Sequence, residues 1–197
     1  MVKMKNANNW HIDGMILGTF LSTIFFSATY PYIHKCIVMQ IPDYFLAVNQ
    51  VINCGGVIIW GTLWNRKSNF LFSNYVWICI LETILGIATT GFAIICGNIA
   101  AYYILDTIIF ATVTRNILCG GVKLKAIRYK TEEERTQFDN NDNSACAVAT
   151  ILGSIIAMYL RLNLPAMLIV ATVGNAIDNM FFVYIYNKER KRKIEEG

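Results

Sequence analysis

Charge is what this sequence has least of: 17 Lys and Arg and 13 Asp and Glu stand among 197 residues, of which 55% are hydrophobic. Soluble domains carry charge on about a quarter of their residues, so this composition argues against a water-soluble globule. Glycine (13) and proline (3) are too few, and apolar residues too many, for a disordered chain. Histidine is scarcer still, with only His11 and His34. That excludes an H-E-x-x-H zinc site, and it leaves a Cys–His peptidase without a pair, because no apolar run holds a His facing a Cys. There is no G-x-x-x-x-G-K-[ST] phosphate loop, and no paired carboxylate motif supports lipid-modifying chemistry on Asp106 or Asp178. The six cysteines form no C-x-x-C pair and lie in or beside apolar runs, where they act as small apolar residues. A bridge between Cys36 and Cys96 stays open. The expectation is a protein that is not an enzyme and has no metal or cofactor.

What the sequence has is long uncharged runs. A helix crossing the hydrocarbon core needs roughly 20 mostly apolar residues to hide its backbone polar groups. Six such runs are present, at about 14–34, 44–65, 70–96, 99–120, 143–160 and 164–187. The expected fold is all-α, a single polytopic membrane domain over residues 1–197 with six transmembrane helices. Ser27, Ala28 and Thr29 make a poor cleavage site and the first run is longer than a signal-peptide core, so a cleaved leader is not expected.

Orientation follows from the basic residues, which are retained on the cytoplasmic side. With the N-terminus inside, fourteen of the 17 fall in cytoplasmic segments: Lys3 and Lys5, Arg66 and Lys67, five between Lys123 and Arg135, and five between Lys188 and Lys193. Lys35 and Arg161 fall outside, and Arg115 lies within a run. Both termini are therefore expected in the cytoplasm and the protein in the cell membrane. The net charge of +4 reflects this topology and is no nucleic-acid footprint.

One polar stretch interrupts the pattern, GVKLKAIRYKTEEERTQFDNND at 121–142. Val122, Leu124, Ile127 and Tyr129 alternate with basic residues in its first half, which suits a short interfacial helix; the whole is either a solvated cytoplasmic loop or a docking element. The basic tail after Asn187 suits an anionic leaflet.

Ionisable residues inside a span are costly, about 2.5–3.5 kcal/mol near the bilayer centre on insertion scales, and are pathway candidates for that reason. They are Glu82, Asp106, Arg115 and Asp178, and the economical pairing joins Arg115 to Glu82 or Asp178. Asp106 and Arg115, nine residues apart, fall on opposite sides of an α-helix. Asn175 and Asn179 form a polar stripe with Asp178, and Asn49, Gln50 and Asn53 form another; such stripes face protein or water. Gly55 and Gly56, Gly86 with Thr90, and Ala149, Gly153 and Ala157 mark close helix contacts.

Between the second and third runs stand Gly61, Leu63, Asn65, Arg66, Ser68 and Asn69. This segment resembles the loop between helices two and three of the major facilitator superfamily, G-x-L-x-D-R-x-G-R. Gly61, Leu63 and Arg66 match, while Asn65, Ser68 and Asn69 replace the Asp, the second Gly and the second Arg. Arg115 is similar to the arginine of the family's R-x-x-x-G segment, with Cys119 at the glycine position. Ala149, Gly153, Ser154 and Ala157 resemble its G-x-x-x-G-P-x-x-G motif, with Ser154 in place of Pro. The resemblance covers nearly the whole chain as one amino-terminal six-helix half.

It implies a half-size carrier that moves a small solute by alternating access once a second six-helix half is present, as a homodimer or with another chain. Arg115 would be the main charged site, Glu82 and Asp178 its counter-charges or proton carriers, and Asn49, Asn53 and Asn175 solute contacts. The alternative is a non-transporting accessory, sensor or self-immunity protein acting on a partner through 121–142. The bilayer is the partner common to both.

Overall fold

The structure, a computed structural model, describes residues 13–160 and 162–195, with side chains as far as Arg192. Lys3, Lys5, His11, Arg161 and the side chain of Lys193, which enter the charge reading, lie outside the described residues. The long apolar runs fold as helices: α1 (Gly14–Gln40, with Pro31 inside it), α2 (Asp43–Ser73), α3 (Tyr75–Cys96), α4 (Ile99–Ile109), a π-helical turn at Phe110–Thr114, α5 (Arg115–Arg128), α6 (Glu132–Tyr159) and α7 (Leu164–Glu195). α4, the π turn and α5 continue as one rod, so six helices are long and apolar enough to cross a membrane. No strand occurs among the described residues.

The ends carry the expected capping chemistry. Asp13 accepts the Met15 N–H at 2.8 Å, Asn98 that of Ala101 at 3.0 Å and Asn163 that of Ala166 at 3.0 Å. Thr131 and Glu134 form a reciprocal capping box that starts α6. α3 stops at Gly97, whose φ of 62° is left-handed backbone that favours glycine.

The boundaries differ from the sequence expectation at the polar connections. Residues 70–73, assigned to the third run, finish α2, which bends at Lys67 (φ −128°, ψ 30°), and only Asn74 separates α2 from α3. The stretch 121–142 is not an open loop. α5 runs unbroken to Arg128 and α6 begins at Glu132, leaving three residues between them. Its Leu124 is fully buried in the bundle, so this part packs inside rather than lying along an interface. Polar helix of this kind carries no hydropathy signal, which is why it looks like a loop.

Two apolar clusters mark the two ends. Met15, Tyr75, Leu124, Phe138, Ile185 and Tyr186 gather at the end where α1 begins and α7 finishes, here the terminal end. Ile37, Ile41, Ala93, Ile99, Met167 and Leu168 gather at the other. The described ends of the chain and the 66–74 and 129–131 connections therefore share one end.

Packing repeats with an offset of three helices. α1 packs mainly against α6 and α7; the α4–α5 rod packs against α2 and α3; α3 packs on α7, and α1 touches α4. The partners of the first helix thus correspond to those of the fourth, which starts at the opposite end. Small residues allow the close approaches. A Cβ on Gly153 would lie 2.6 Å from the Ile24 carbonyl oxygen and 2.7 Å from Ser27 Cβ, and one on Gly56 would collide with the Ala111 carbonyl of the π turn. The expected contact stripe of α6 faces α1, with Ala149 fully buried. Thr90 and Thr172 share a hydrogen bond of 2.6 Å beside Gly86, while Gly55 faces open space.

Candidate functional site

Glu82 is the centre of the polar interior. It is 2% exposed on α3, and both carboxylate oxygens are engaged: the Thr114 hydroxyl donates to Oε1 and Asn179 Nδ2 donates to Oε2 at 2.6 Å. The same Asn179 amide reaches Thr83 Oγ1 at 3.1 Å and the Cys79 carbonyl at 3.4 Å. Three helices, α3, α5's π turn and α7, therefore meet on one carboxylate, and every group touching it is neutral. Of the expected candidates, Glu82 and Asn179 are brought together; Thr114 and Thr83 were not foreseen.

The expected partnership of Arg115 with Glu82 or Asp178 does not form. No ion pair among the described residues includes Arg115; its guanidinium stands over the Phe110 ring, 4.8 Å from the centroid, and its Nε has no hydrogen-bond partner. The π turn just before it is the reason. Its i→i−5 bond, Arg115 N–H to the Phe110 carbonyl, adds a residue to the turn and rotates everything after it by about 100° from α-helical phase. Asp106 and Arg115 make no pair either, although the π turn also removes the phase argument for that separation.

Asp178 and Asn175 define an opening. On α7, Gly174 and Phe181 meet α1, while Thr172 and Asn179 meet α3. Asn175 and Asp178 lie between those two lines, on the stripe of Phe182, whose ring sits against Gly121 of α5. A side chain so placed points into the bundle, yet Asn175 is exposed and Asp178 only half-buried, with one oxygen, Oδ1, buried and unpartnered. Asp106 is exposed on α4.

The second polar stripe links α2 to α4. Asn49 Nδ2 donates to the Tyr103 hydroxyl and Asn53 Nδ2 to Asn49 Oδ1 at 2.6 Å, leaving Asn53 Oδ1 buried without a partner. In the 61–69 segment, Gly61 and Leu63 are half-buried on α2, and Asn65 and Arg66 are exposed with no bonded partner among the described residues. The residue that engages is Trp64, buried, whose Nε1 donates to Asn116 Oδ1 at 2.8 Å. Asn69 accepts from Lys123 at 3.0 Å.

A charge network closes the terminal end. Arg128 bridges Asp13 at 2.7 Å and Glu189 at 3.1 Å, Arg192 also pairs with Glu189, and the Tyr129 hydroxyl donates to Asp13. Burial, then that hydrogen bond, pushes the Tyr129 phenol well above its ordinary range and keeps it a donor. Arg135 caps the carbonyls of Tyr129, Ala126 and Lys130. All six cysteines are free, so Cys36 and Cys96 are not bridged. No cluster of metal ligands occurs among the described residues.

No family model, no curated protein and no solved structure matches the chain.

Proposed function

We propose that this protein is a half-size, facilitator-like carrier of the cell membrane, with both termini cytoplasmic, that moves a small solute by alternating access when two copies pair. The observation that carries the reading is the opening at Asn175 and Asp178, polar side chains aimed into the bundle between α1 and α3 and left accessible. Lipid offers such groups no partner, so water or solute fills the space. The three-helix offset in packing supports it, because inverted three-helix repeats nested in a six-helix half give that correspondence. Glu82, held only by neutral donors, lies behind the opening. The facilitator-like segment contributes Arg66 at the cytoplasmic surface and Trp64 as its structural tie to α5.

The test is solute exchange in liposomes holding the purified protein, with radiolabelled amino acids, sugars and small organic cations as cargo. Uptake above protein-free liposomes that is lost in Asp178→Asn supports the reading. No exchange by a protein shown to be dimeric contradicts it.

A second reading has one observation in its favour. A partner-binding accessory, sensor or self-immunity subunit would use the exposed start of α6, where Glu132 and Glu133 have no bonded partner. It requires a second protein and predicts no exchange.

A further inference from the structure

We propose that the cleft between the starts of α1 and α6 is a binding site for a small organic ammonium ion, set apart from the opening at Asn175 and Asp178. The cleft lies at the terminal end and has a volume of about 270 Å³. Sites for drug-sized ligands run to about 300–1,000 Å³, so this one suits a smaller molecule. Asp13 and Ile16 of α1 line one side, and Glu134, Gln137, Phe138 and Asn141 of α6 line the other.

The cations beside the cleft are already engaged. Arg128 pairs with Asp13 at 2.7 Å and with Glu189 at 3.1 Å, and Lys125 pairs with Asp139 at 2.6 Å. No Lys or Arg among the described residues lines the cleft itself. Its acceptors, by contrast, are left over. Glu134 spends Oε2 on the Lys130 and Thr131 N–H groups, and its Oε1 has no bonded partner among the described residues. Gln137 and Asn141 follow three and seven positions later on the same face of α6. Asp142, next to Asn141 and one helical turn beyond Phe138, has its Oδ1 buried and unpartnered at the inner end of the cleft. A buried acceptor left without a donor is costly, so a donor belongs beside it.

Charge and shape define that donor. Between 129 and 142 five acidic residues stand against two basic ones, which attracts a cation and repels a carboxylate or phosphate. An ammonium group carries three donors and no acceptor, which matches a set of acceptors spread along one helix face. Half-buried Ile16 and buried Phe138 offer apolar surface to a short alkyl stem.

The inference needs no transport step, and its test reads binding alone. The full chain in nanodiscs of zwitterionic lipid is titrated calorimetrically with butylamine, and with butanol, butyrate and protein-free nanodiscs as comparisons. Saturable binding of the amine is expected, roughly tenfold tighter than of the alcohol. Glu134→Gln removes the charge but keeps the capping box, which accepts Glu or Gln, so it should weaken amine binding roughly tenfold while α6 stays folded. Asp142→Asn should weaken it too, whereas Glu133→Gln, outside the cleft lining, should not. Bound amine should also raise amide protection at 130–134, which locates it. No saturable binding, butanol bound as tightly as butylamine, an equal loss in Glu133→Gln, or indifference to both Glu134→Gln and Asp142→Asn overturns the site. Amine binding by a protein that exchanges no solute keeps the site and sinks the carrier.

Discussion

Asn179 donates to Glu82 at 2.6 Å across 97 positions of sequence, and this one bond ties α7 to α3 where the bundle's interior opens. With Thr114 on the other oxygen, the carboxyl group is a three-helix joint. Glu82→Ala strands both donors. Each unsatisfied buried group costs about 1–3 kcal/mol, so a clear fall in the detergent unfolding midpoint is expected. Glu82→Gln keeps an acceptor for one donor and should lose less; thermal unfolding of the two variants side by side decides it, and equal losses would mean the hydrogen bonds are not what holds the joint.

The α1–α6 contact depends on the absence of a side chain at Gly153. Gly153→Val puts carbon against the Ile24 carbonyl and Ser27, and overpacking of that kind costs typically about 1–3 kcal/mol. Gly55→Ala, with nothing within 4 Å of its new methyl, should be neutral. Denaturant titration of both variants reads the contrast directly.

Glu134 gives a pH dependence confined to the start of α6. Its carboxylate accepts the Thr131 and Lys130 N–H groups, and these backbone bonds hold it below the usual carboxylate range of 4.5. A group whose folded pKa is depressed stabilises above its unfolded pKa, and the contribution is lost as pH falls through the lower folded value. Protection of the amides at 130–134 against exchange, taken relative to the intrinsic rate at each pH, should therefore be high at neutral pH and fall below about pH 4.5. In Glu134→Gln that extra step should vanish.

The six apolar helices were legible because length and hydropathy report burial in lipid or protein without reference to any partner. The shared end of the described chain ends followed from the basic residues, and the Ala149–Gly153 stripe was legible because small residues at helical spacing mark a close helix contact; that Glu82 needs a polar partner was legible too, but not that Asn179 is that partner. What stayed hidden depends on neutral partners and on phase. Thr114, Thr83 and Asn116 look like ordinary span residues, and nothing in their spacing connects them to Glu82, Asn179 or Trp64. Arg115 was paired with Glu82 or Asp178 by depth alone, and depth does not reveal that its guanidinium stands over the Phe110 ring just beyond the π turn. The amphipathic continuation from Gly121 to Asp142 was taken for a loop because its helices are polar.

A carrier of this kind needs its interior open to water at Asn175. Asn175→Cys is labelled with a membrane-impermeant maleimide, from each side in turn, in the full-length protein in sealed vesicles. Ile87→Cys on α3, exposed at a similar depth between the Glu82–Asn179 and Thr90–Thr172 bonds, serves as the lipid-facing comparison. The Asn175 site should react from both sides, the pattern of alternating access, while the Ile87 site should not react. An Asn175→Cys thiol no more reactive than Ile87→Cys would mean that lipid or protein seals the opening, and would contradict the claim.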